Sequence, residues 1–423
     1  MDVIIIGAGA AGLMAAIEAG KKNNKVTVLE LKNEAGRKIL ATGNGRCNLT
    51  NRNIESSCYF GDDKSFIEKV IQKIDYEYIK KYFEDMGLLF CNIGDYVYPY
   101  SKQSSSVTNV LLRECKKHNI NFVFNCNVKN IEKKYDNFTI NAIITEGKNT
   151  YKKEFFADKV IVTAGGKASP KFGSDGSGYY LLKKLGHRVN DVVPALVPMI
   201  CDDGNNGHTL KKLHGVRAEA SIIAYYSENN EKKNIATERG EIQLTDYGIS
   251  GIVTFQLSGR INHCLAKNKK VYVEIDFMPD YSKEELKKYL ACAVEKNIDY
   301  FGKVREAYLS VLNGMLNDKL AEVIIERVWT TGKDKETGSG EILIKQIVEL
   351  TKGFKFKVTA SRGFEFAQVS SGGVTLKEVN ENMGSKLFDG VYIAGEVLDV
   401  DGMCGGYNLH FAFASGIIAG NLK

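Results

Sequence analysis

Short apolar runs alternate with amphipathic stretches along this chain, and both ends of the chain share the pattern. The runs that read as buried strands are 3–6, 26–29, 160–162 and 391–394. Apolar residues spaced three and four apart predict helices over 65–86, 107–118 and 341–350. Because strands and helices alternate in this way, we expect an α/β fold.

The middle of the chain has a different pattern of hydrophobic and polar residues. From residue 189 to about 276, short β-branched runs are separated by polar turns, which predicts an inserted antiparallel β domain. Helical periodicity returns from 282 to 328. The expected domains are one at 1–188 with 360–423, an inserted β domain at 189–280 with 328–359, and a helical subdomain at 281–327.

A glycine-rich turn joins the first apolar run to the first helical stretch. It reads GAGAAG and matches the pattern G-x-G-x-x-G in a strand–turn–helix–strand context. Gly7 permits the tight turn, Gly9 lets the backbone approach a pyrophosphate, and Gly12 lets the helix lie close to the strand. Glu30 ends the second strand, eighteen residues beyond Gly12, where a carboxylate can accept hydrogen bonds from ribose hydroxyls. These residues predict a dinucleotide site.

The C-terminal segment shows the same arrangement of a strand, a glycine turn and a helix. A strand at 391–394 ends in Gly395 and Glu396, and a Gly405–Gly406 turn precedes an apolar helix at 409–419. A helix that begins at such a turn presents free backbone N–H groups to a ligand. We therefore expect the end of the chain to return to the site that its beginning forms.

Composition narrows the class of protein. The net charge is +6 over 423 residues, and no basic run is interleaved with aromatic residues, so we expect no nucleic-acid partner. Nine cysteines form no C-x-x-C pair, so reduced thiols in the cytoplasm and no metal site are expected. No apolar stretch reaches the roughly 18 residues of a membrane span. The expected protein is cytoplasmic, acts on a small molecule, and is a monomer or a homodimer.

Motifs in order along the whole chain carry a family resemblance. They are GAGAAG (7–12), ATGNGRCNLTN (41–51), VIVTAGG (160–166), GSDGSGY (173–179), SSGGV (370–374), VYIAGEVLDVDG (391–402) and CGGYNL (404–409). In these motifs the chain resembles the BaiN/YhiN-like (aminoacetone-oxidase-like) FAD-binding, NAD(P)/FAD-dependent oxidoreductases. The resemblance implies a Rossmann-like FAD-binding domain, a three-layer ββα structure split by an inserted antiparallel β domain and a small helical domain.

The resemblance also implies a set of FAD contacts. The glycine turn and Glu30 would hold the ADP half, residues 38–48 would lie along the flavin, and Val128 would reach adenine. Residues 164–166 would cap the nucleotide, and residues 395–409 would approach the ribityl chain and the isoalloxazine. The implied FAD-binding residues are Gly7, Gly9, Ala10, Ala11, Gly12, Glu30, Lys38, Asn44, Gly45, Arg46, Cys47, Asn48, Val128, Ala164, Gly165, Gly166, Gly395, Glu396, Gly405, Gly406, Asn408 and Leu409.

The reaction implied by the resemblance is hydride transfer at flavin N5 with a small organic substrate. Reduction of an activated C=C bond by NAD(P)H is one candidate, because the family includes a proposed bile-acid enone reductase. The sequence shows no second dinucleotide-binding module, so NAD(P)H would bind transiently without one. The alternatives are an amine or α-carbon oxidase that uses oxygen and, from another class, a non-catalytic or RNA-associated FAD-binding protein.

Two residues are candidates for catalysis. Arg46 lies in a glycine loop, where its fork of N–H donors could orient a carboxylate or an enone oxygen. It could instead pair with the FAD pyrophosphate or with a structural acid. His410, at a position where the family often has Gln, could donate a proton near the flavin or could be a core histidine. A redox role for Cys47 or Cys404 competes with inert packing.

Overall fold

The structure is a computed structural model that describes residues 1–229, 231–301, 303–331 and 340–422. In chain order its strands are β1 (Asp2–Ile6), β2 (Lys25–Leu29), β3 (Thr50–Asn51), β4 (Tyr59–Gly61), β5 (Phe90–Ile93), β6 (Tyr96–Pro99), β7 (Asn121–Val123), β8 (Cys126–Lys134), β9 (Asn137–Glu146), β10 (Asn149–Ala157), β11 (Lys159–Val162), β12 (Val193–Ala195), β13 (Met199–Asp202), β14 (Arg217–Glu228), β15 (Glu231–Leu244), β16 (Gly248–Ser250), β17 (Lys270–Asp276), β18 (Phe354–Ser361), β19 (Val369–Ser371), β20 (Val391–Ile393) and β21 (Val400–Gly402). Its α-helices are α1 (Ala10–Lys21), α2 (Arg37–Ala41), α3 (Lys64–Lys73), α4 (Tyr76–Asp85), α5 (Ser104–Lys117), α6 (Ser177–Lys184), α7 (His208–Leu213), α8 (Ile252–Ala266), α9 (Lys283–Phe301), α10 (Val304–Asn313), α11 (Asp318–Thr331), α12 (Gly340–Lys352) and α13 (Tyr407–Gly420).

A five-stranded parallel sheet combines the two ends of the chain. Its order is β20-β11-β1-β2-β7, with β1 at the centre and the C-terminal strand β20 at one edge. The apolar runs that form it are almost completely buried, as expected for parallel strands covered on both faces. An antiparallel sheet, β10-β9-β8, lies in the same compact unit. The predicted Rossmann-like α/β fold is confirmed.

Helices α1 and α13 pack together through residues without side chains. A Cβ added at Gly416 would overlap the carbonyl oxygen of Ala11, and one added at Gly420 would lie 2.5 Å from that of Ala15. Only glycine at these two positions lets the backbones approach this closely. The C-terminal helix therefore lies directly against the helix that begins at the glycine turn.

Residues 65–86 form two helices rather than the single predicted helix. The helix is interrupted at Ile74 and Asp75. The Asp75 side chain caps α4 by accepting a hydrogen bond from the backbone N–H of Tyr78 at 2.8 Å. The apolar spacing continues across this break, so the periodicity alone did not reveal it. A side-chain oxygen that satisfies a free N–H at a helix start is the signal that marks the boundary.

The rest of the chain, residues 196–363, forms a second compact unit. It contains a closed six-stranded barrel of order β13-β16-β15-β14-β17-β18, in which neighbouring strands are antiparallel. Helices α9 to α12 belong to this unit too. The finer boundaries at 189–280, 281–327 and 328–359 stay predictions, and residues 332–339 of the last segment lie outside the described residues.

Candidate functional site

Two glycines of the opening turn are required by the packing of the protein itself. Gly7 has φ of 103°, and a Cβ there would lie 2.6 Å from the carbonyl oxygen of Thr163. A Cβ at Gly12 would overlap the carbonyl oxygen of Gly7. The Thr163 hydroxyl donates to that same oxygen at 3.0 Å, which ties the end of β11 to the turn.

Gly9 is different, because nothing in the protein requires a glycine there. Its φ of −80° and ψ of −167° suit any residue, and a Cβ would meet no atom within 4 Å. Gly9 also forms the N-cap of α1, where the first backbone N–H groups lack intrahelical partners. An open backbone at a helix N-terminus that a Cβ would obstruct fits the close approach of a pyrophosphate.

Glu30 is buried at the end of β2 and faces the turn. Its carboxylate accepts the backbone N–H of Ala8 at 2.7 Å and that of Lys32 at 2.8 Å. Burial raises the pKa of this carboxyl, and the two backbone hydrogen bonds oppose the rise. Each oxygen keeps a lone pair for another donor. A Cβ at Gly173 would lie 3.6 Å from Glu30 Oε1, so the GSDGSGY motif also reaches this end of the site.

Val128 is buried on β8. Two residues earlier, Cys126 donates its backbone N–H to the carbonyl oxygen of Glu30 at 2.8 Å. The segment predicted to reach adenine therefore starts beside the carboxylate predicted to bind ribose.

An ion pair joins segments that are far apart in sequence. Lys38 Nζ lies 2.6 Å from Glu396 Oε2, and the backbone N–H of Ser370 donates to Glu396 Oε1 at 3.0 Å. A Cβ at Gly166 would lie 2.6 Å from that Oε1 atom. Three of the motifs quoted above, together with Lys38, therefore meet at one carboxylate.

The ends of β11 and β20 close around the first turn of α1. Gly395 has φ of 80°, and its N–H donates to Ser415 Oγ on α13 at 3.0 Å. A Cβ at Gly395 would lie 2.8 Å from that of Ala11. Gly165 has φ of 74° and neighbours Ala164, which is half-buried. The predicted cap residues therefore lie at the carboxyl ends of parallel strands, where ligands bind in such sheets.

The start of α13 is held by main-chain geometry and by Asn51. Gly405 and Gly406 have φ of 127° and 95°, and a Cβ at Gly406 would overlap the carbonyl oxygen of Thr50. Asn51 Nδ2 donates to the Gly405 carbonyl oxygen at 3.0 Å. Asn408 uses its side chain to accept the Gly402 N–H and to donate to the Gly402 carbonyl oxygen, both at 2.8 Å. Asn408 therefore fixes the turn.

Leu409 is half-buried beside Asn408, whereas His410 is completely buried. His410 Nδ1 lies 2.8 Å from Thr50 Oγ1, and Nε2 lies 3.0 Å from the carbonyl oxygen of Ile74. A carbonyl can only accept, so Nε2 carries the hydrogen and Nδ1 accepts from the threonine. Both ring nitrogens are occupied, which favours the core-histidine alternative over the predicted catalytic role.

The structural role of His410 should appear as a loss of stability at low pH. Burial lowers its pKa from 6.5 to about 4, so between these values the unfolded chain binds the proton more readily than the folded protein does. Stability is therefore lost as the pH falls from 6.5 towards 4, by a contribution on the order of 3 kcal/mol. His410→Gln, with a side chain that both donates and accepts, should flatten that loss in urea unfolding at pH 7 and pH 5.

The exposed His208 provides a matched control, because His208→Gln should leave the acid sensitivity unchanged. If His410→Gln retained fold and cofactor but lost turnover, the catalytic assignment would regain support.

The loop at 42–48 presents Arg46. Asn44 and Gly45 are exposed with φ of 53° and 84°, and Asn48 Oδ1 accepts the backbone N–H of Val97 at 3.2 Å. Cys47 is buried, and burial raises the pKa of its thiol to about 12, so it stays protonated near neutral pH. The Arg46 side chain is exposed and has no ion pair or hydrogen bond with any residue that the structure describes.

The hydroxyl and amide groups that hold the site together lie outside the set of site residues predicted from the sequence. They are Thr50, Asn51, Thr163, Ser370 and Ser415. Each lies against a glycine of the quoted motifs, and that glycine comes from a different segment of the chain. Among the described residues, no group of three or more His, Cys, Asp or Glu side chains could hold a metal ion, and no helix could cross a membrane.

Comparison with known proteins adds three findings. The family model described as "HI0933-like protein Rossmann domain" matches residues 1–422. The 3-dehydro-bile acid delta(4,6)-reductase of Clostridium scindens is 36% identical over 419 residues, which cover 98% of this chain and 97% of the relative. The ribosomal RNA dihydrouridine synthase of Haemophilus influenzae is 26% identical over 422 residues, which cover 97% and 96%.

Proposed function

This chain belongs to the HI0933-like family and is a flavin-dependent oxidoreductase. From that premise we propose that it binds FAD and reduces a carbon–carbon double bond conjugated to a carbonyl, with NAD(P)H as the electron donor. The two relatives support the reaction class. A delta(4,6)-reductase of a 3-oxo steroid and an enzyme that makes dihydrouridine both saturate a C=C bond next to a carbonyl. The higher identity of the bile-acid relative favours a small-molecule substrate.

The observation that carries the cofactor assignment is the open backbone of Gly9. Gly7 and Gly12 are needed for packing, but Gly9 meets no protein atom that would exclude a side chain. A pyrophosphate against the start of α1 explains why glycine stands there. Glu30 would accept from the ribose, and the Lys38–Glu396 pair would lie along the remainder of the cofactor.

Bound FAD, once reduced, supplies a hydride from N5. The residues of the chain then have two tasks, to place the conjugated bond and to stabilise charge on its carbonyl oxygen. Arg46 suits the second task, because its exposed guanidinium has no protein acceptor among the described residues. NAD(P)H would bind transiently, since the sequence shows no second glycine-fingerprint module for it.

The test is a turnover assay on the purified protein. The visible spectrum should show bound flavin, NADH or NADPH should bleach it without oxygen, and a conjugated enone should restore it. A panel of amines tests the oxidase alternative in the same cuvette. Bound flavin that no donor reduces, or reduced flavin that only oxygen reoxidises, would contradict the proposed reaction.

A further inference from the structure

A small antiparallel sheet next to the start of α13 has a face whose tyrosine hydroxyls have no hydrogen-bond partner among the described residues. Its strand order is β3-β6-β5, and Tyr96 and Tyr98 alternate with the buried Val97 and Pro99 on β6. The two tyrosines therefore point to one side and are half-buried. We call Tyr96, Tyr98 and the neighbouring Arg46 the tyrosine face.

The tyrosine face lies directly beside the Gly405–Gly406 turn. A Cβ at Gly405 would lie 2.6 Å from Cε1 of Tyr96, and Asn51, the cross-strand partner of Tyr96, donates to the Gly405 carbonyl. The loop that carries Arg46 is bonded to β6 next to Tyr98, because Asn48 Oδ1 accepts the backbone N–H of Val97 at 3.2 Å. The Tyr98 phenol is also close enough to Arg46 for that charge to affect its pKa. The donors are therefore grouped at the end of the site that the C-terminal helix forms.

These groups share one chemical property, the lack of an acceptor. Among the described residues, no hydrogen bond joins the phenol oxygen of Tyr96 or Tyr98, or the Arg46 guanidinium, to a partner. Burial raises the pKa of Tyr98, although Arg46 acts in the opposite direction, so the phenol remains a donor at neutral pH. Arg46 is exposed and the two tyrosines are half-buried, so water can reach these donors, and a ligand with an acceptor oxygen can take the place of that water.

The apolar surroundings indicate what else that ligand carries. Ile93, which pairs with Tyr96 across the strands, is 47% exposed, and the rings of both tyrosines offer flat apolar surface. A ring system bearing one carbonyl oxygen matches both parts of this surface, the apolar rings and the clustered donors.

From this juxtaposition we infer that the tyrosine face binds the carbonyl oxygen of a flat, apolar ring enone, with Tyr98 and Arg46 as its donors. The inference rests on the proposed function and assigns its substrate class. Hydride addition to the β carbon breaks the C=C π bond and moves the electron pair through the conjugated system onto the oxygen. A proton from solvent then adds to the α carbon, and the ketone forms again. The two electrons would come from bound, reduced FAD, with NAD(P)H as its reductant.

Tyr98 and Arg46 act at the moment when the oxygen carries the negative charge. Donors aimed at a developing oxyanion stabilise the transition state more than the ground state, and loss of one such donor costs roughly a hundredfold or more in kcat. Its effect on the binding of a neutral ketone is smaller, about tenfold at most. A purely structural tyrosine would not produce this division between kcat and binding.

The experiment compares Tyr98→Phe with Tyr100→Phe, a control two residues along whose side chain is 70% exposed. Both holoenzymes are assayed with 2-cyclohexenone, with a 3-oxo-4-ene steroid and with a uridine-containing RNA oligonucleotide. Binding of the saturated 3-oxo steroid to the oxidised enzymes is measured by calorimetry. FAD content and the rate of flavin reduction by NADPH are measured alongside.

For Tyr98→Phe we expect a kcat roughly a hundredfold lower on the steroid, weaker ketone binding, and unchanged FAD content and flavin reduction. If the unaltered enzyme reduces enones but the two variants have the same kcat and the same ketone affinity, the inference is overturned and the proposed function stands. Faster reduction of the oligonucleotide than of the steroid would overturn the substrate class. If the unaltered enzyme reduced no enone, the proposed function would fail, and ketone binding would still test the tyrosine face.

Discussion

Gly9→Val should give a folded protein that does not retain FAD. The backbone angles of Gly9 suit valine, and the space around its Cβ contains no protein atom within 4 Å. The new side chain would occupy the approach to the start of α1, where a pyrophosphate must contact backbone N–H groups. We expect FAD affinity to fall at least about a hundredfold, which corresponds to roughly 2.7 kcal/mol.

The measurements are the flavin-to-protein ratio after gel filtration and the melting temperature of the apo-protein. The variant should melt no more than a few degrees below the unaltered apo-protein, because valine is a poorer N-cap residue than glycine by about 1 kcal/mol. Gly12→Ala is the contrasting change, because its Cβ would overlap the Gly7 carbonyl oxygen and should destabilise the fold itself. Full FAD occupancy in Gly9→Val would remove the observation on which the cofactor assignment depends.

Gly416→Ala should destabilise the protein and weaken FAD binding, although the residue lies near the far end of the chain. Its Cβ would overlap the carbonyl oxygen of Ala11, so α13 must move away from α1. Overpacking of this kind costs roughly 1–3 kcal/mol. The movement would also shift Ser415, which accepts the Gly395 N–H at the end of β20.

Gly314→Ala is a matched control in the second unit. Gly314 follows α10 and has helical backbone angles. A Cβ added there would lie 3.3 Å from its nearest neighbour, the Val311 carbonyl oxygen. Alanine there should be neutral or stabilise by up to about 1 kcal/mol, because it restricts the unfolded chain. If Gly416→Ala behaved like Gly314→Ala in thermal unfolding and in FAD retention, the packing of the two chain ends would not support the site.

The sequence was sufficient for those parts of the site that depend on local backbone chemistry. The turn through Gly7 and Gly12, the strand ending at Gly395 and the return of the C-terminal helix each follow from glycines next to apolar runs. Such features depend on a few consecutive residues, so their pattern is visible without the fold. The parallel sheet that joins both ends of the chain follows from the same runs.

Other features depend on which distant segments meet, and these could not be predicted. His410 is buried because its helix packs against Thr50 and Ile74, and no spacing in the sequence relates these three residues. Likewise, the alternation of Tyr96 and Tyr98 predicts an extended strand but not that their common face lies at the Gly405 turn. A hydrophobic pattern gives the direction of a side chain relative to its own element, and the neighbouring element decides its role.

The proposed reaction is tested most directly by anaerobic stopped-flow mixing of pre-reduced holoenzyme with a 3-oxo-4-ene steroid. Flavin absorbance should return at a rate that depends on steroid concentration, and one saturated ketone should form per flavin reoxidised. Flavin that remains reduced in the presence of the enone, and is reoxidised only when oxygen is admitted, would contradict it.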